Sequence, residues 1–199
     1  MDALIHRRRA RLLRLAIVAV PAAVAVAVAG PGPAGTVGLS AEAADARCKG
    51  ARANPGNVKP GVVQRATMCL INKRRAKNGL ATLNRRKSLR RAAKRHSVRM
   101  RNRPCFSHTC GGSLAKRVSN TAYLPCGCSY GVGETLAWGA RSSGQARRIV
   151  SSWMNSPSHR AAILDRRFRH FGIGVVWGSP YSPGSSSHAT YTAMFGFKS

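Results

Sequence analysis

Glu134 stands in the stretch Gly131-Val132-Gly133-Glu134-Thr135-Leu136-Ala137-Trp138-Gly139 and is one of only two carboxylates beyond residue 46, the other being Asp165. General acid/base catalysis and metal ligation both draw on carboxylates and histidines. A segment this poor in acids therefore routes any such chemistry through Glu134. A structural role competes with it: following Gly133, Glu134 suits the first turn of a helix, where it would accept backbone hydrogen bonds. Asp165 follows Ile163-Leu164 and reads as a turn former without a catalytic part. Ser107 precedes His108, but adjacent side chains rarely point at each other, and no Gly-x-Ser-x-Gly elbow is present. His96 falls on an apolar helix face and reads as a satisfied core histidine. Trp138, Trp153 and Trp177 are most simply core residues.

The chain opens with Arg7, Arg8, Arg9, Arg11 and Arg14, continues through an apolar stretch from Leu15 to Ala29, and reaches Ala41-Glu42-Ala43 and Ala44-Asp45-Ala46. That order matches a secretory signal with two alternative cleavage sites, and the paired arginines admit twin-arginine export. The apolar stretch is shorter than the roughly 20 residues a spanning helix needs. No later segment is long or apolar enough to span a membrane. The leader is therefore expected over 1–46, an irregular arm pinned by Cys48 over 47–61, and one domain over 62–199. Cys48, Cys69, Cys105, Cys110, Cys126 and Cys128 all lie beyond the leader, and an even number in an exported chain reads as disulfides. Cys48 with Cys69 ties the arm to the first helix; the other four pair among themselves around one loop, with connectivity open. Cys126-Gly127-Cys128 lacks the Cys-x-x-Cys spacing of a zinc or redox site.

The whole chain carries +29, and removing five cations and three anions with the leader leaves +27. Such a field attracts polyanions, which for an exported protein means anionic cell-wall polymers or lipid head groups. A specific nucleic-acid role is not expected, because export removes the target and no basic-aromatic binding motif is present. High charge also serves plain solubility.

Periodicity predicts a helix from Gly61, with Val62, Ala66, Cys69, Leu70 and Lys73 at three- and four-residue steps and a stop at Asn78-Gly79. A second begins near Ser88, carries Leu89, Ala92, Ala93, His96 and Met100 on one face, and ends at Pro104. A short helical piece lies around Leu114 to Val118. A third long helix, capped by Ser142 or Ser143, carries Ala146, Ile149, Val150 and Trp153, and a short one restarts at His159 after Ser156-Pro157-Ser158. Phe171 to Trp177 and the alternating His188 to Phe197 read as a hairpin joined by the Gly178–Ser187 loop. Helices followed by a hairpin indicate an α+β layered domain.

Six stretches together resemble the CAP superfamily, which unites cysteine-rich secretory proteins, antigen 5 and pathogenesis-related 1 proteins, in its bacterial secreted branch. They are Asn72…Arg75…Asn78-Gly79-Leu80…Leu83, Ala92-Ala93…His96-Ser97…Met100, Cys105-Phe106-Ser107-His108, Gly133-Glu134-Thr135, Trp153-Met154-Asn155-Ser156-Pro157-Ser158-His159-Arg160 and Phe171-Gly172-Ile173-Gly174-Val175. The resemblance implies an α-β-α sandwich with a central antiparallel sheet and a cleft across one face. It places His108, Glu134 and His159 in that cleft, while the second acid of the family falls near Ser156 and is missing. Two imidazoles and one carboxylate would suffice for a zinc site with three protein ligands and a water, or for a proton-relay pair. A divalent ion held by one carboxylate would keep a net positive charge inside a basic protein. The expected function is a secreted, non-enzymatic binding protein for lipids or anionic cell-envelope components. The alternative is a metal-assisted, peptidase-like hydrolase using His108, Glu134 and His159.

Overall fold

The computed structural model describes residues 4–6, 47–124 and 129–199. The expected leader lies almost wholly outside these residues, as do Cys126 and Cys128. The arm from residue 47 is a chain of turns, and the Cys48–Cys69 disulfide ties it to α1 (Pro60–Lys77), as expected. Pro60 opens that helix at a position where the missing N–H costs nothing. Gly79, at φ +65°, closes it, with its own N–H on the Ala76 carbonyl and Leu80 N–H on the Arg75 carbonyl.

Next come β2 (Asn84–Arg85), α2 (Lys87–Asn102) and α3 (Leu114–Ser119). β3 (Tyr130–Ala140) leads through a 3-10 turn at Arg141–Gly144 into α4 (Ala146–Asn155) and α5 (Pro157–Ile163). β4 (His170–Trp177) and β5 (His188–Lys198) follow. With β1 (Leu4–His6) the sheet runs β1-β3-β5-β4-β2. Every pairing is antiparallel except the two-residue β2–β4 bridge.

Strand alternation distributes the core. Ala189, Tyr191, Ala193 and Phe195 of β5 join Val63, Leu70 and Ile71 of α1 and Ile149 and Trp153 of α4 in one cluster. Met194 joins Leu89 and Ala93 of α2 and Leu114 and Val118 of α3 in another. Helices therefore cover both faces of the sheet, which is the expected α-β-α sandwich. Arg75 is fully buried in the first layer and donates to the carbonyls of Ala81, Ile163, Asp165 and Phe168, so a cation in the core is satisfied by backbone alone.

Three local expectations change. Glu134 lies in the middle of β3 and not at a helix N-terminus. Glycine-rich sequence hides this strand, yet a Cβ at Gly131 would meet the Phe197 ring and one at Gly133 the Phe168 ring, so the glycines permit close packing. Ser142 and Ser143 do not cap α4: they lie in the 3-10 turn, where the Ser143 hydroxyl bonds Ala140, and Gln145 precedes the helix. α5 starts at Pro157, two residues before His159, because proline suits N1. Among the described residues, no helix is long and apolar enough to cross a membrane.

Candidate functional site

Glu134 projects from β3 on the face shared with Val132, towards the α2–α3 layer, and its side chain is wholly buried. Arg117, on α3, forks onto both carboxylate oxygens, Nη2 donating to Oε1 at 2.8 Å and to Oε2 at 2.9 Å. Its Nη1 donates to the carbonyls of His108, at 2.8 Å, and Gly112. One guanidinium thus clamps the strand carboxylate to the loop before α3. That helix is itself fixed by Ser113, whose hydroxyl accepts from Lys116 N–H.

His108 reaches the same carboxylate, Nδ1 lying 2.9 Å from Oε1. A carboxylate only accepts, so Nδ1 carries the proton and Nε2 is the atom left to meet a ligand. The Cys105–Cys110 disulfide closes the loop holding His108, and Cys105, Phe106 and Cys110 pack on Met100 and Leu136. The rigid placement of His108 comes from that packing.

His96 approaches from α2, with Nε2 3.8 Å from Glu134 Oε1 and its side chain fully buried. Burial pushes its pKa down to about 4; Arg117 and His108 act in the same direction, while Glu134 and the Ser107 backbone oppose it. The contact with Glu134 therefore joins a neutral ring to a carboxylate and is no ion pair at neutral pH. His96 is buried as expected but not satisfied. Among the described residues four buried side-chain polar atoms lack a hydrogen-bond partner, and three of them lie around Glu134: both His96 ring nitrogens and Arg117 Nε.

The other expected residues divide. His159 is buried on the first turn of α5. It lines a neighbouring cleft of about 480 Å³ with Leu136, Trp138, Arg148, Ser152 and Trp153. Ser156, where the family's second acid would fall, faces the Ser158 hydroxyl. The Ser107 hydroxyl pairs with Thr109 and forms no nucleophile–base pair with His108. Asp165 shapes its turn by accepting from the backbone and guanidinium of Arg167. Trp153 is buried and donates to the Leu136 carbonyl, but Trp138 is 38 % exposed, which corrects its placement in the core.

These residues do not fit the divalent cation that the resemblance allows. Arg117 already covers both oxygens of Glu134, so a cation there would face a guanidinium across a buried carboxylate. Among the described residues no group of three His, Cys, Asp or Glu side chains is placed to hold an ion. Arg117 is the site residue that sequence reasoning misses: among 34 Lys and Arg, nothing in its local pattern sets it apart.

The model of the CAP family, described as the cysteine-rich secretory protein family, matches residues 69–192. The uncharacterised protein YkwD of Bacillus subtilis is 33% identical over 111 residues, covering 54% of this chain and 40% of YkwD. The chain thus spans less than half the length of that curated relative. Among solved structures, an outer surface protein of Borrelia burgdorferi superposes with a TM-score of 0.60 at 20% identity, over 71% of this chain and 97% of that one. An extracellular protein of Bacillus anthracis containing an SCP domain gives 0.52 at 23% identity, over 69% of this chain and 43% of its own. At these identities the two structures speak for the fold.

Proposed function

The chain belongs to the cysteine-rich secretory protein (CAP) family, and from that premise we propose that it is an exported, non-enzymatic binding protein for anionic cell-envelope components, lipid head groups or wall polymers. The observation that carries this reading is the Arg117–Glu134–His108 clamp. With both of its oxygens already bonded to Arg117 Nη2, the buried Glu134 carboxylate is poorly placed to hold a metal and serves to tie β3 to α3 and the His108 loop. Net charge supplies the rest: at +29 over the chain, or +27 without the expected leader, long-range attraction favours polyanions. Two disulfides among the described residues suit an oxidising compartment. Co-sedimentation of the purified protein with vesicles of anionic and of zwitterionic lipid, and with isolated wall polymers, tests the reading. Binding to the anionic partners that weakens with added salt is expected; equal binding to zwitterionic vesicles, or none to any anionic partner, contradicts it.

A hydrolase reading has one observation in its favour, the His108–Glu134 hydrogen bond, which leaves Nε2 as a base oriented by a carboxylate. It requires activity on peptide, ester or peptidoglycan substrates that Glu134→Gln and His108→Ala abolish. Equal background turnover in wild type and variants removes it.

A further inference from the structure

The cleft bearing His159 has an outer rim that the binding reading leaves unused. Trp138 is the one exposed residue within β3, a strand otherwise buried or half-buried along its length. Tyr181, in the β4–β5 loop, is 71 % exposed, and these two are the exposed large apolar side chains among the described residues. They lie side by side: the Trp138 and Tyr181 ring centroids are 5.3 Å apart and tilted by 57°. His188 stacks near Trp138 at 6.3 Å. An exposed aromatic pair does nothing for the core, and such a patch beside a cleft marks a contact surface.

The platform is preformed. Ser179 and Ser182 exchange backbone hydrogen bonds at the turn carrying Tyr181. The Ser179 hydroxyl bonds His188 Nδ1 at 3.0 Å, and Thr190 donates to the Gly178 carbonyl at 2.8 Å. A held loop loses little freedom on binding.

We propose that this cleft binds a saccharide chain, with Trp138 and Tyr181 stacking on a sugar ring and Ser142, Ser152 and Arg148 bonding its hydroxyls or acid substituents. The inference rests on the binding-protein reading above and gives its ligand a chemistry. Aromatic faces carry negative potential and attract the C–H face of a pyranose. Ser142, Ser152 and Arg148 line the cleft and are exposed, and their side chains have no hydrogen-bond partner among the described residues, whereas the Ser143 hydroxyl is taken by Ala140. A few polar groups around an apolar floor of about 480 Å³ are what a small-ligand cleft needs. A cationic ligand is excluded because no carboxylate lines the cleft and Arg148 does. A purely apolar partner would bury the serines and the guanidinium unpaired. Nucleobases would also stack, but they come with phosphates that need a track of cations, and Arg148 alone lines this cleft.

The test titrates the purified protein, at high salt, with neutral hexasaccharides of glucose, of N-acetylglucosamine and of mannose, following tryptophan fluorescence and heat. At least one is expected to bind, with Kd raised about tenfold or more by Trp138→Ala and about threefold by Tyr181→Ala. Both side chains are exposed, so both variants should keep the fold, checked by circular dichroism. Binding unchanged in both variants overturns the proposal, as does tighter Trp138-dependent binding of oligothymidylate. If no hexasaccharide binds while anionic polymers still bind at low salt, the saccharide site is overturned and the binding-protein reading stands. If neither binds, both fall.

Discussion

Around Glu134 a single carboxylate holds three elements together: β3 through its own backbone, α3 through Arg117, and the disulfide loop through His108. Both partners are nearly out of water, the Glu134 side chain at 0% and Arg117 at 10% exposure. Removing one charge from such a pair strands the other. Glu134→Gln is therefore expected to cost about 3–5 kcal/mol in urea unfolding, and Arg117→Met added to it should restore part of the loss. A Glu134→Gln cost near zero would show that the clamp is not formed. His96 makes a separate prediction. Its folded pKa, about 4, lies below its usual 6.5, so the unfolded chain takes up a proton first as pH falls. Its contribution is complete above about pH 6.5, is lost on the way down to about pH 4, and totals about 3 kcal/mol. His96→Leu should flatten the stability–pH curve in that window, while an unchanged slope contradicts the burial argument. Glu134 was legible in the sequence because acids are so scarce. Arg117 was not, since its significance lies in a contact across 17 residues within a crowd of like residues.

Among the elements, α2 lies directly on β4 because Gly172 and Gly174 leave room. A Cβ on Gly172 would strike the backbone of Leu89 and Arg90, and one on Gly174 that of Ala93 and Lys94. Helix backbone cannot yield as a side-chain tip can. Gly174→Ala should cost about 3 kcal/mol in urea unfolding, and a loss below about 1 kcal/mol would mean that the helix moves freely over the sheet. The same glycines explain which elements could be read in advance. α1, α2, α4 and the β4–β5 hairpin carry clear apolar periodicities, and their boundaries hold to within a few residues. β3 is interrupted by Gly131, Gly133 and Gly139, where packing against Phe197, Phe168 and the Ser143–Gly144 backbone replaces the side chains that would have signalled a strand. Its outer edge pairs at Val132–Glu134 with Leu4–His6, so cleavage of the expected leader would uncover that edge.

For the whole molecule, the α-β-α sandwich sets a neutralised, internally clamped carboxylate beside a cleft with an aromatic rim, inside a surface of overwhelming positive charge. The layer order followed from helices preceding a hairpin and from the family resemblance together. The aromatic rim did not, because Trp138 exposes its ring only through its position on the sheet. The proposed function is recognition of an anionic envelope component without chemistry upon it. Its most direct test is the affinity of the purified protein for isolated wall polymer and for anionic vesicles across a salt series. Log K is expected to fall linearly with log salt concentration for at least one of these partners, with the partner recovered chemically unaltered. A salt-independent affinity for every partner, or recovery of a cleaved partner from wild type but not from Glu134→Gln, would contradict it.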